Sequence, residues 1–383
     1  MARALYIHWP FCAKKCPYCD FNSHVRATVD TAIWQRDLIT DMRYEHGASN
    51  GERLASIFFG GGTPSLMPPS LVAALLREAE ALWGFAPDIE ITLEANPSSV
   101  EAQRFADIAA AGVNRVSLGL QALDNAALQK LGRLHNVAES LAALDTAQKM
   151  FDRVSIDLIY ARPDQTEAMW TEELARALAF DTDHLSLYQL TIEPGTRFAT
   201  DVRRGKLSPM EPDPAADLFA LTRKMTAAAG RPAYETSNHA RAGEESRHNL
   251  TYWRYGDYLG IGPGGHGRRG GSATQRHRKP ENWSAAVALD GNGIVEETRL
   301  NASEAASEAL LMGLRLREGV NLPALANRFG IATPALIDAD RFAFYRNLGF
   351  VWRDRRRIGV TEAGAGVLDA LLGELVHGDL VAA

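Results

Sequence analysis

Along the first half of this chain, short apolar runs alternate with longer stretches in which apolar positions recur every three or four residues. The runs Ala4–Trp9, Leu54–Phe59, Ile89–Glu94, Arg115–Gln121, Val154–Tyr160 and His184–Leu190 read as strands. Between them, Asp30–His46, Pro69–Trp83, Val100–Ala111, Asp124–Leu131, Val137–Met150 and Thr166–Ala179 read as helices. Six strand-then-helix units in succession need crossover connections, and so a parallel sheet with helices outside it. The fold class expected is α/β, a partial (β/α)6 TIM-like barrel with its site at the C-terminal ends of the strands, as in complete barrels. A doubly wound sheet is the competing arrangement, because strand order is not written in periodicity.

Beyond Leu190 the pattern loosens. Gly195–Lys206 reads as a loop, Asp213–Gly230 as an amphipathic helix and Ala233–Ser237 as a strand. Glycines crowd 260–267, where they permit close approach of backbone to a flat ligand or nucleoside, and the polar stretch 270–293 reads as a linker. Helices are then expected at Glu304–Leu316, Asn321–Phe329 and Pro334–Asn347, followed by a hairpin of Gly349–Trp352 with Arg357–Val360 and a last helix, Glu362–His377. That order suggests a small winged-helix-like module. Three segments result: 1–230, 231–295 and 300–383.

With 383 residues and 46% hydrophobic composition, the chain can bury the core of one large domain and a smaller one. Its net charge of −6, from 41 basic and 47 acidic residues, leaves no global electrostatic footprint for nucleic acid. The winged module is therefore expected to serve as a lid or a docking element. No apolar run approaches the ~18 residues that span a membrane, and the start Met-Ala-Arg lacks a secretory apolar core. A cytoplasmic protein is expected, with peripheral membrane contact and a homodimer left open.

Composition changes the picture most at the cysteines. All 3 lie in one loop after the first strand, at Cys12, Cys16 and Cys19. Thiolates so spaced can share one soft metal centre and leave a fourth position open, as in an iron–sulfur cube with three cysteine ligands. A structural zinc site completed by His24 or His8 is the bland alternative. A disulfide framework is the weaker one, because the count is odd.

Other polar residues fall on the same predicted rim: Gly60-Gly61-Gly62-Thr63 after the second strand, Glu94 ending the third, Gln121 ending the fourth, and Asp157 late in the fifth. Glycines offer backbone N–H groups to a ligand. Glu94 and Asp157 can accept from an ammonium or from ribose hydroxyls, and Arg133 can pair with a carboxylate. Taken singly, each is as readily a cap or turn residue.

Cys-x-x-x-Cys-x-x-Cys with Gly-Gly-Gly-Thr-Pro resembles the radical S-adenosylmethionine (SAM) superfamily. More narrowly, Tyr6–Cys12, Phe59–Pro64, Ser117–Gln121 and Asp157–Tyr160 resemble the oxygen-independent coproporphyrinogen III oxidase family, from about Leu5 to the C-terminus. The resemblance implies a [4Fe–4S] cluster on Cys12, Cys16 and Cys19 whose fourth iron chelates SAM and reduces it to a 5′-deoxyadenosyl radical. It further implies a SAM site lined by Tyr6, Tyr18, Gly61, Gly62, Thr63, Glu94, Gln121, Arg133 and Asp157.

In the later segment, His248 stands beside Tyr252 and Trp253. Histidine can ligate heme iron while aromatic rings pack the macrocycle; a core histidine among core aromatics is the plain alternative. His248-Asn249-x-x-Tyr252-Trp253 resembles the HNxxYW signature of the HemW-like branch of the family, the heme chaperones. True oxidases of the family carry an N-terminal extension before the tyrosine matching Tyr6, and a further cysteine two residues after the third ligand. Here that position is Phe21. The expectation is heme binding and transfer to acceptor hemoproteins, with oxidative decarboxylation of coproporphyrinogen III the alternative. A heme donor and a flavodoxin- or ferredoxin-type electron donor are implied by analogy, and no nucleic acid. The function of His266 is left open.

Overall fold

The computed structural model describes residues 2–49 and 52–376. Strand β1 (Ala2–Trp9) leads into the cysteine loop, which holds a small parallel pair, β2 (Phe11–Cys12) and β3 (His24–Val25). Five further strands follow, β4 (Leu54–Gly61), β5 (Phe85–Ala95), β6 (Arg115–Gln121), β7 (Arg153–Tyr160) and β8 (His184–Gln189). They lie beside one another in the order β1-β4-β5-β6-β7-β8, all parallel. Strictly sequential order is that of a barrel wall; a doubly wound sheet reverses direction at a switch point.

The sheet is wider than the six-strand expectation. β9 (Asn238–Ala240) adds antiparallel to β8. On the other edge β10 (Asp257–Ile261) pairs parallel to β1, followed antiparallel by β11 (His266–Arg269), β12 (Ser272–Arg276) and β13 (Ile294–Arg299). The stretch 270–293 is therefore no linker: it holds β12 and the helix Pro280–Asp290. Its polarity misleads because Arg276, with 0% of its side chain exposed, ion-pairs with the equally buried Asp41 and Glu45 of the helix Thr31–Ala48.

Other departures are local. Gly195–Lys206 contains the helix Arg197–Arg203, started by the Thr196 hydroxyl accepting from the Ala199 N–H. Ala233–Ser237 is a turn, and the strand begins one residue later. Val100–Ala111 divides into Ser99–Ala102 and Phe105–Ala110.

The strands alternate more strictly than their sequences suggest. Leu5, Ile7, Ile57, Phe59, Leu93, Leu118, Ile156 and Leu187 join the outer helices in one apolar core. The intervening residues, among them Tyr6, Phe58, Glu94, Ser117, Asp157 and Ser186, face an internal cavity. A complete TIM barrel fills that interior with branched apolar side chains; here it is hollow, with carboxylates and hydroxyls among aromatic side chains.

The C-terminal module has its own core, in which Leu310, Leu325, Leu336, Ile358 and Leu372 pack together. The expected hairpin, β15 (Val351–Arg353) with β16 (Arg357–Val360), gains β14 (Val320–Asn321) as a third strand. The final helix is broken into Glu362–Ala365 and Leu368–Leu375, and its expected end at His377 lies outside the described residues. No helix among the described residues is long and apolar enough to cross a membrane.

Candidate functional site

The cavity has a volume of about 1430 Å³, above the ~300–1,000 Å³ of ordinary small-molecule pockets. Tyr6, Gly61, Glu94 and Asp157 line it, and so do His248, Asn249, Tyr252 and Trp253. Two motifs that stand far apart in sequence thus open into one space. Met312, Arg315, Val367 and Leu368 of the C-terminal module close one side of it.

The remaining members of the expected SAM set gather around the cysteine loop. Cys12, Cys16 and Cys19 are free thiols, half buried, and burial pushes the Cys12 and Cys19 thiols up. Each sulfur meets a polar partner: the Thr63 hydroxyl donates to Cys12 Sγ at 3.3 Å, Ser23 Oγ lies 3.8 Å from Cys19 Sγ, and Arg133 Nη1 donates to Cys16 Sγ at 3.6 Å. Arg133 also reaches the Tyr18 hydroxyl (3.4 Å), the Gly119 carbonyl (3.2 Å) and Asn96 Oδ1. One guanidinium thereby ties the loop to the ends of β5 and β6. Gln121 ends β6 with a left-handed backbone, φ 67°, and its amide lies over Gly119, 2.7 Å from where a Cβ would stand.

Hydrogen bonds to sulfur are among the groups that tune iron–sulfur clusters, so this donor set fits one. It fits zinc poorly. His8 is committed at both ring nitrogens, to the Tyr6 hydroxyl (3.0 Å) and the Asn22 carbonyl (2.9 Å), and His24 Nε2 lies 3.2 Å from Asn22 Oδ1. Among the described residues no three His, Cys, Asp or Glu side chains converge on a single ion position.

The glycine motif corrects one expectation. Its N–H groups are not bare: Gly61 donates to Glu94 Oε2 (3.2 Å), Gly62 to the Trp9 carbonyl (2.7 Å) and Thr63 to the Phe11 carbonyl (2.9 Å). The glycines are needed because the strand ends pack so closely. A Cβ on Gly62 would lie 2.7 Å from Phe11 O, and Gly61 has φ +114°. The same holds at 260–267, where a Cβ on Gly260 would lie 1.9 Å from His266 O and one on Gly262 2.5 Å from His8 O. Those glycines serve contact between protein backbones.

Inside the cavity, burial and then the neighbouring Asp157 raise the Glu94 pKa to about 8. Asp157 is itself raised by burial, against the Ser117 hydroxyl that donates to it at 2.9 Å. Glu94 is thus a protonated acid at neutral pH until a cation or donor joins it.

His248 sits at the N-terminal end of the barrel interior, on the helix Arg247–Trp253. Sequence reasoning missed what holds it there. Glu90, buried on β5, accepts the N–H groups of Arg247 and His248 (3.2 Å each) and is paired with Arg153 at 2.7 Å. Burial alone would raise its pKa, but Arg115, Arg153 and those N–H groups outweigh that and hold it below the usual range. A carboxylate at a helix N-terminus is favoured by the unpaired N–H groups and the dipole there. The signal was present: Glu90 lies an even number of residues from Glu94, on the same strand face.

The His248 ring stacks on Phe58 (centroids 5.0 Å apart, 29° between planes), and its Nδ1 lies 3.4 Å from Ser56 Oγ. Burial lowers its pKa to about 4, so the ring is neutral at physiological pH, the form that ligates metals. Its Nε2 has no hydrogen-bond partner among the described residues. Trp253 Nε1 is buried without a hydrogen-bond partner among them.

The radical SAM superfamily matches residues 6–177 and the HemN C-terminal domain matches residues 300–366. Radical S-adenosyl methionine domain-containing protein 1, mitochondrial, of Mus musculus is 42% identical over 385 residues, 96% of this chain and 86% of that protein. Heme chaperone HemW of Haemophilus influenzae is 36% identical over 375 residues, 96% of either chain, and HemW of Escherichia coli 42% over 269 residues, 69% and 70%. Among solved structures, coproporphyrinogen III oxidase (HemN) of Escherichia coli superposes with a TM-score of 0.81 at 21% identity, covering 97% of this chain and 89% of that one, which shows the fold. The chain therefore belongs to the radical SAM superfamily, in the HemW-like family.

Proposed function

We propose that this protein is a heme chaperone: it binds heme in the barrel cavity through His248 and passes it to acceptor hemoproteins. The observation that carries the reading is His248 itself, a neutral imidazole fixed by Ser56 and Phe58, with Asn249, Tyr252 and Trp253 on a cavity larger than an ordinary cofactor needs. The names of the relatives support it. Segment 231–295 would carry the heme, 1–230 the cluster and SAM, and 300–383 the cover over the cavity.

Membership of the superfamily implies a [4Fe–4S] cluster and SAM. Cys12, Cys16 and Cys19 would hold the cluster, and when bound it supplies single electrons to SAM. The chain's own contribution is positional. Thr63 and Arg133 direct donors at the sulfurs and Ser23 lies against the third, while Tyr6, Glu94 and Asp157 present polar groups to the cavity that would take SAM and Gly61 orients Glu94. Tyr18, Gly62 and Gln121 shape the loop beside them.

Ferric heme titrated into anaerobically reconstituted protein should give a Soret band that weakens in His248→Ala. Absence of that band, or conversion of coproporphyrinogen III by the reduced protein, would overturn the chaperone reading.

A further inference from the structure

His266 on β11, Gln275 on β12 and Arg278 just beyond it face the cavity, and among the described residues their side chains carry no hydrogen bond or ion pair. His266 and Gln275 are direct cross-strand partners. Arg278 is close enough to His266 that, after burial, its charge is what lowers the His266 pKa. The acid nearest in sequence, Glu281, is taken by Arg26. This is an uncommitted guanidinium at the edge of a cavity whose other titratable groups include Glu94, Asp157 and Glu235.

The group is built in place. Asn22 Nδ2 donates to both the Pro263 and the Arg278 carbonyls at 2.9 Å, and Gly264 lets it approach, since a Cβ there would lie 2.5 Å from that nitrogen. On the opposite face of β12, Arg276 is locked to Asp41 and Glu45. His266, Gln275 and Arg278 line the same cavity as His248. His248 faces Tyr6 at 6.2 Å between ring centroids, Tyr6 faces His8 at 5.8 Å, and His8 in turn feels the charge of His266. Wall and edge form one continuous surface.

A heme carries its negative charge on two propionate carboxylates at the rim of an otherwise apolar ring. Guanidinium is the side chain that best matches a carboxylate, through paired N–H donors. We propose that His266, Gln275 and Arg278 form a carboxylate-binding subsite that holds a propionate of the heme ligated by His248. The assignment rests on the heme reading above. SAM also carries a carboxylate, so the test must separate the two sources.

The experiment compares ferric heme with its dimethyl ester, in which both carboxylates are masked, on the full-length protein and on Arg278→Gln. The wild type is expected to bind heme about tenfold to a hundredfold more tightly than the ester, the worth of a hydrogen bond to a charged group. Arg278→Gln should lose that difference while ester affinity and the position of the Soret band stay unchanged, because His248 is intact. His266→Ala should weaken heme in the same selective way. Equal loss for heme and ester, or unchanged heme affinity in Arg278→Gln, overturns the subsite. Unchanged heme affinity with weakened SAM binding by the cluster-loaded protein assigns the carboxylate to SAM instead. No Soret band with either ligand in the wild type overturns the heme reading, and the subsite with it.

Discussion

Replacing Arg276 with methionine tests how the extension of the sheet is held. Arg276 Nε donates to Asp41 Oδ2 at 2.7 Å, and Nη2 donates to Asp41 Oδ1 at 3.0 Å and to Glu45 Oε1 at 2.8 Å. All three side chains are 1% exposed or less. In Arg276→Met, Glu45 keeps Arg269 at 2.8 Å. Asp41 keeps only neutral donors, the Gly262 and Gly293 N–H groups and Trp283 Nε1. A buried charge stripped of its partner costs about 3–5 kcal/mol. The neutral donors that remain place this loss nearer the lower figure. Equilibrium urea unfolding measures it, with far-UV circular dichroism as the global probe. Tryptophan fluorescence is the local one, since Trp283 donates to Asp41 and stacks on Trp34 at 5.1 Å. Adding Asp41→Asn keeps an acceptor and removes the orphaned charge, so the double variant should regain more than about 1 kcal/mol. A loss below about 1 kcal/mol in Arg276→Met, or a double variant less stable than the single one, would refute the argument.

Other outcomes follow from the site. Glu94 has a folded pKa of about 8 against an ordinary value of 4.5, so the folded state holds a proton that the unfolded chain releases. Stability of the cofactor-free protein should fall as pH rises from 4.5 to 8, and Glu94→Gln should flatten that slope; a wild-type curve flat over this window contradicts the assignment. Because the His248 pKa is about 4, the Soret signature should persist on acidification well past 6.5 before the ligand protonates, and loss centred near 6.5 would mean an exposed histidine. Gly62→Ala, forced against the Phe11 carbonyl, should fold with an unchanged barrel spectrum yet retain little iron after reconstitution. Arg133→Lys cannot span Cys16, Tyr18, Asn96 and Gly119 at once, so iron release to a chelator should accelerate several-fold; an unchanged rate would make the fork dispensable.

The six parallel strands and their helices were legible because apolar residues buried on the outer face leave a period that survives any tertiary arrangement. The cysteine loop was legible because three thiolates in eight positions have few other uses. Local signals failed where the chain's neighbours decide. Arg276 looks like a linker residue until Asp41 and Glu45, more than two hundred residues away, bury it. Gly61 and Gly62 read as ligand-facing donors, but their N–H groups are spent on Glu94 and Trp9.

What the sequence by itself determined was therefore the six strand-and-helix units, the three-cysteine loop and the family. What only the tertiary structure decided was that the His248 helix plugs the same cavity onto which Glu94 and Asp157 open, held there by Glu90 at its N-terminus. The physical reason is that a hollow barrel can carry polar inward side chains only if distant segments return to satisfy and enclose them, and no local pattern records which segment returns where.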